Sequence, residues 1–172
     1  AGIATAVAAW QYAATAGPLA DSPLPTAFDA IGQAGALLVT PDLWSAVAST
    51  LGMALGGLLL AATAGVLVGI MIGVSPIAMH ATRIPLEFLK PIPPIVILPV
   101  VVLIWGPTAG MGVFLVFFGC VFAIAMQTSA GVFDTDPVAI ATSRSYGMGR
   151  AEILRSVILP SALPYIGTAL RV

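Results

Sequence analysis

The sequence predicts an all-α integral membrane protein, and three observations carry that. Only 8% of its 172 residues are charged while 59% are hydrophobic. A soluble domain carries about 25% charged residues, so this chain could not cover its own surface in water. Next, Trp44 to Val74 and Pro91 to Phe133 contain no Asp, Glu, Lys or Arg at all, and a helix needs about 20 apolar residues to cross the hydrocarbon core. Finally, Arg83, Lys90, Arg144, Arg150 and Arg155 fall in two short segments, which leaves only Arg171 elsewhere.

The spans follow in order. Residues 1–20 carry no charge and read as a first span, broken at Gly17-Pro18. They lack the positive leading region of a signal peptide, so a clipped span is the better reading. Residues 21–43 form a connection with three acids and no base. Residues 44–74 are long enough for a second span with tilt to spare. Residues 75–90 hold His80, Arg83, Glu87 and Lys90 and read as a loop or interfacial segment. The uncharged run 91–133 is too long for one crossing. Its turn signal, Trp105 to Gly112, divides it into a third span over about 91–105 and a fourth over about 112–130. Residues 134–161 are a polar loop, and a fifth span begins after 161. The chain thus reads as one partial transmembrane domain, with about four complete spans and the start of a fifth. With no initial methionine, and a stop at Val172 in apolar sequence, it is expected to be a fragment of a larger protein.

Basic residues in short loops stay on the cytoplasmic side. Alternating the spans puts 75–90 and 134–161 on one side and the base-free segments 21–43 and 106–111 on the other. Both basic loops are therefore expected in the cytoplasm. A formal net charge of −1 gives no field for nucleic acid. Cys120 cannot form an internal disulfide, and His80, the one histidine, has no ligand-type neighbours in sequence, so no metal site is expected.

Within the second span, Gly52, Gly56, Gly65, Gly69 and Gly73 give three matches to the four-residue spacing that lets another backbone approach closely. In the third, Pro91, Pro93, Pro94 and Pro99 remove backbone donors. Broken backbone at membrane depth must face protein or a water-filled cavity. Pro93, Pro94 and Pro99 are therefore candidate path-lining residues, set against an interfacial kink before a regular helix near Ile95. Glu87 and Lys90 are expected to pair at the membrane edge.

The polar loop is built as two arms around glycine. Asp136-Pro137 is a helix start. A helix over about 138–146 would end at Gly147, which tolerates the left-handed conformation of a C-terminal cap. Gly149 permits a second bend. A new helix from about Arg150 places Ala151, Leu154 and Ile158 on one face and Arg150, Glu152 and Arg155 on the polar side. Pro160 and Pro164 end it or kink it into the next span. Such an elbow suits insertion into a partner's groove, or lies on anionic lipid through its arginines.

Gly147, the nine residues after it and Val157-Ile158-Leu159-Pro160 resemble the EAA loop of the permease subunits of bacterial ABC importers. Ala141-Thr142-Ser143 stands where that pattern has Glu-Ala-Ala. Arg144 to Gly147, Ile153 to Pro164, Leu89 to Pro99 and Leu103 to Gly106 are similar more narrowly to the nitrate, sulfonate and taurine type. The resemblance covers about residues 43–172. It implies a type I ABC importer permease fold. It also implies a plasma-membrane location, a second permease copy, two cytoplasmic ATPase subunits and an extracytoplasmic binding protein. Arg144, Ser145, Tyr146, Gly147, Met148, Gly149, Arg150, Ala151 and Glu152 would be the ATPase-coupling residues. The chain has no phosphate-binding Gly-x-x-x-x-Gly-Lys-Ser/Thr loop. ATP and Mg would therefore belong to the partner, and no cofactor or catalytic residue to this chain. The alternative is a secondary transporter driven by an ion gradient. It would want an ionisable residue in a span, for which the sequence offers Arg171.

Overall fold

The computed structural model describes residues 2–17, 19–20 and 22–171, all helix and connection with no strand among them. Ala1–Ser49 and Thr50–Val172 form two compact units.

In the first unit, α1 (Gly2–Thr15) and α2 (Ala27–Leu37) pack together, with Ala14 and Ala27 buried. The Gln11 side-chain carbonyl accepts the Phe28 N–H at 3.1 Å. Thr26 caps α2 by accepting from the Asp29 N–H. Two expectations change here. The first span over 1–20 contains a 14-residue helix, about 21 Å long at 1.5 Å per residue. That is short of the hydrocarbon thickness, and Ala1 and Pro18 lie outside the described residues. The connection 21–43 contains α2, whose Thr26 cap was a readable start signal.

The helix α3 (Pro41–Gly73) runs from the first unit into the second. The second unit continues with α4 (Pro76–Leu89), α5 (Pro94–Trp105), α6 (Ala109–Phe133) and α7 (Pro137–Ser145). It ends with α8 (Arg150–Ile153), a π-turn (Leu154–Ile158) and α9 (Leu159–Arg171). Three stretches among the described residues are long and apolar enough to cross a membrane: α3, α6 and the continuous run Arg150–Arg171. Taken together, α4 and α5 are long and apolar enough for one further crossing, with a bend of 84° at the break between them.

The glycine stripe of α3 meets α6. A Cβ added at Gly57 would lie 2.5 Å from the Val116 Cβ, and at Gly65 2.9 Å from the Ile124 Cβ. At Gly69 it would lie 2.6 Å from the Thr128 Cβ, and at Gly73 2.6 Å from the Val132 Cβ. Every pair differs by 59 in residue number, so α3 and α6 run parallel and in register. The facing residues are all β-branched, with stiff side chains that fill the flat track the glycines leave. Ala61 is fully buried in the same stripe. The expected Gly52 is not part of it, since nothing lies within 4 Å of its added Cβ. The Thr128 Oγ1 is buried in this seam without a hydrogen-bond partner.

Parallel α3 and α6 require that the chain return between them. The α4–α5 pair makes that return. Residues 75–90, expected as a loop or interfacial segment, are therefore mostly helix: Ser75 accepts from the Ala78 N–H and Pro76 occupies the first turn. Ser-Pro is a helix start that the charges obscured. The expected Glu87–Lys90 pair is not formed. Glu87 instead pairs with Arg83 at 3.0 Å, one turn earlier. After α5, Gly106 at φ 66 turns the chain and Thr108 caps α6.

The expected boundary near 161 is also displaced. The helix from Arg150 passes through Pro160 and Pro164 without ending. The Leu159 N–H bonds the Leu154 carbonyl, five residues back. Pro160 has no N–H and its ring would press on the carbonyl of Ser156. Widening the preceding turn from four residues to five absorbs that clash without breaking the helix.

Overpacking a close contact costs about 1–3 kcal/mol. Gly69→Val is therefore expected to lower the thermal unfolding midpoint of the purified protein in detergent. Gly52→Val, one face away, is expected to leave it unchanged. Equal midpoints for the two variants would contradict the seam.

Candidate functional site: the glycine elbow

The first arm of the elbow, α7, is bounded by a side-chain cap at its start and by backbone hydrogen bonds at its end. The Asp136 carboxylate accepts the Val138 N–H at 2.8 Å, and Pro137 fills the first position of α7. At the other end the Gly147 N–H bonds the Arg144 carbonyl at 2.9 Å and the Met148 N–H bonds the Ser143 carbonyl at 3.2 Å. These two bonds are a Schellman motif, with Gly147 at φ 81 as its left-handed residue. Only glycine holds that conformation without strain. Gly149 differs: its φ is −72, nothing lies within 4 Å of an added Cβ, and it starts α8 in extended conformation. The expected second glycine bend is thus an ordinary helix entry.

The structure brings all nine predicted residues to one projecting corner. Arg144, Ser145, Tyr146, Gly147, Gly149, Arg150, Ala151 and Glu152 are exposed, and Met148 is half-buried. Tyr146 is 84% exposed, at the tip. The Ser145 hydroxyl donates to the Ala141 carbonyl at 3.2 Å and faces along its own helix. Ala141 is exposed on the outward face of α7 with Val138, Thr142 and Ser145. A residue at 141 is therefore a surface residue with no buried contact to lose. Val138, 68% exposed, belongs to this face and was not singled out from sequence. Its position one turn before Ala141 was the available signal.

Behind the corner lies a cleft of about 630 Å³. Pro137, Ile140 and Arg144 line it from α7, Arg150, Ala151 and Ile153 from α8, and Gly73, Val74, Val132 and Phe133 from the ends of α3 and α6. Ile153 is 4% exposed and Ser143 9%, so the inner side of the elbow is buried. Buried Thr135 donates to the Gly131 carbonyl at 3.4 Å. An added Cβ at Gly131 would lie 2.7 Å from Tyr165 of α9. The elbow is therefore continuous with three crossings, through the ends of α3 and α6 and through the helix that leads into α9.

The prolines are divided differently. Pro93 precedes α5 in extended conformation, Pro94 is its first residue and Pro99 lies inside it. An added Cβ at Gly119 would lie 2.9 Å from the Pro94 Cγ, so the start of α5 sits against the middle of α6. No group of three or more metal-ligating side chains occurs among the described residues.

Residues 65–172 match the family described as binding-protein-dependent transport system inner membrane component. The chain belongs to that family. The fold is accordingly the all-α, type I ABC permease fold of a multi-pass inner-membrane protein. The chain is 35% identical over 130 residues to the taurine transport system permease protein TauC of Escherichia coli (strain K12), which covers 76% of this chain and 47% of that protein. It is 30% identical over 129 residues to the nitrate import permease protein NrtB of Leptolyngbya laminosa, covering 75% and 46%. It is 29% identical over 165 residues to the putative aliphatic sulfonates transport permease protein SsuC of E. coli (strain K12), covering 96% and 63%. The chain spans about half the length of the first two relatives.

A β-branched residue at φ 81 is strained by about 1–2 kcal/mol. Gly147→Val is expected to speed hydrogen exchange at the backbone amides of positions 147 and 148, with Gly147→Asn intermediate. Wild-type exchange in the Val variant would contradict the Schellman closure.

Proposed function

We propose that this chain is part of the permease subunit of an ABC importer. It forms part of the translocation path for a small solute, a sulfonate-, nitrate- or taurine-like anion or a related nutrient. It is coupled to cytoplasmic ATPase subunits through the elbow at Gly147. The observation that carries the reading is that elbow: a rigid, capped corner with an exposed aromatic tip, continuous with three crossings, in a chain of this family. Tyr146 and Val138 present apolar area to a partner groove, and Arg144, Arg150 and Glu152 surround it with charge. ATP and Mg are held by the partner. Its binding and hydrolysis move the elbow, and the elbow moves the helices it is joined to. An extracytoplasmic binding protein delivers the solute and a second permease copy completes the conduit. Membership of a binding-protein-dependent family favours this over an ion-gradient-driven carrier.

With the ATPase, binding protein and permease co-expressed, Tyr146→Asp is expected to reduce ATPase co-purification at least tenfold while leaving the permease's unfolding midpoint unchanged. Full retention of the ATPase by that variant would sink the docking role. A thiol introduced at position 150 should react with impermeant reagent only from the cytoplasmic side.

A further inference from the structure

The run Arg150–Arg171 is the least apolar of the three long crossings, and its polar residues are not scattered. Along α9 the inner side holds Ala162, fully buried, and Tyr165, Ile166 and Ala169, half-buried. The outer side is exposed, and the sequence sorts it into two flanks. Leu163 and Leu170, on one flank, are 62% and 44% exposed. Ser161, Pro164, Thr168 and Arg171 recur at spacings of three and four on the other, and all are exposed. At 3.6 residues per turn Thr168 points roughly 160° away from Leu170. Gly167 stands between the flanks, with nothing within 4 Å of an added Cβ.

The arginine decides what medium the second flank meets. Ser161 and Thr168 donate to carbonyls of their own helix, those of Val157 and Pro164, each at 2.8 Å. They tolerate lipid and water alike. Arg171 has no such outlet, because the one ion pair among the described residues joins Arg83 to Glu87. Packing gives the depth of the arginine. The elbow end of the run lines the cleft with Val132 and Phe133, at the end of α6. Farther on, Tyr165 packs on Gly131. Gly131 is two residues, about 3 Å, inside the end of α6 at Phe133. Arg171 lies six residues past Tyr165, about 9 Å farther along its own helix. Its Cα is therefore as much as about 12 Å inside the end of α6, a helix of 25 residues. A charge at that depth faces a bundle interior or water rather than lipid.

We propose that the Ser161–Pro164–Thr168–Arg171 flank of α9 lines the water of the translocation path, while the Leu163–Leu170 flank faces lipid. This rests on the permease reading, and it gives the path one wall and a fixed positive charge. In a narrow passage with low-dielectric walls such a charge enriches anions over cations. Two other arrangements compete. An arginine that snorkels to the interface would leave the flank in lipid. A second copy of the chain, or a further helix of the permease, would cover it. Both predict an unreactive thiol at position 168.

The test uses the full-length permease carrying Cys120→Ala, assembled with its ATPase and binding protein in proteoliposomes. Thr168→Cys and Leu170→Cys lie two residues apart on opposite flanks. Each is treated with anionic and with cationic methanethiosulfonates, and labelling in sodium dodecyl sulfate sets the full extent. Thr168→Cys is expected to react at least tenfold faster than Leu170→Cys. Arg171 favours the anionic reagent at 168, so adding Arg171→Gln should lower the anionic-to-cationic rate ratio at least threefold. A thiol at 168 as slow as the one at 170 overturns the proposal, whether lipid or protein covers it. A ratio unchanged by Arg171→Gln also overturns it, because the charge then faces elsewhere. Should that variant fail to assemble, the comparison of 168 with 170 in the parent protein decides. ATP-driven uptake of taurine and nitrate is followed in the same proteoliposomes. Uptake with a slow thiol at 168 sinks the flank and keeps the permease reading. A fast thiol at 168 without any ATP-driven uptake sinks the permease reading, and with it the assignment of that water to a path.

Discussion

The contact on which the second unit depends is the seam between α3 and α6. Gly57, Gly65, Gly69 and Gly73 meet Val116, Ile124, Thr128 and Val132 at one constant offset. Lipid is as apolar as leucine, so helices in a bilayer gain nothing from hiding hydrocarbon and associate through close packing instead. Bare backbone against stiff β-branched side chains is a close solution. The register also fixes direction. Two parallel neighbours force the chain to cross back between them, and the only segment available is the proline-broken α4–α5.

Much else follows from that geometry. The ends of α3 and α6 lie side by side, so the residues after Gly73 and after Phe133 leave the bundle at the same end. The elbow cleft is built on those two ends, which is why Gly73, Val132 and Phe133 line it beside Arg144 and Arg150. The π-turn at Leu154–Ile158 serves the same continuity. It lets one helix run from the corner at Arg150 through two prolines to Arg171.

The elbow was legible because its signals are local. Asp136-Pro137 and Gly147 specify a cap and a left-handed turn through nearest neighbours, and α7 starts and stops where they dictate. The long apolar runs likewise marked α3 and α6. What was not legible depended on tertiary context. The charges of 75–90 suggested a loop or interfacial segment, but they stand exposed on a helix whose half-buried side is Met79, Thr82 and Leu86. Arg83 rather than Lys90 was the partner of Glu87, a choice set by four-residue spacing once the segment is helical. Pro160 read as an end or a kink, and sequence alone does not reveal that a five-residue turn can absorb it. Gly52 and Gly57 look alike in the sequence. Only the azimuth of α6 decides that the stripe begins at Gly57.

The central claim is that α3 and α6 are parallel and in register, with the break in α4–α5 between them. Gly112 packs on Met53 at the same offset. With Cys120 replaced by alanine, cysteines at Met53 and Gly112 should form a disulfide rapidly in native membranes. Cysteines at Met53 and Val132, about 30 Å apart along the seam at 1.5 Å per residue, should not. Efficient cross-linking of 53 to 132 and none of 53 to 112 would make the helices antiparallel. It would remove the requirement for a broken crossing between them.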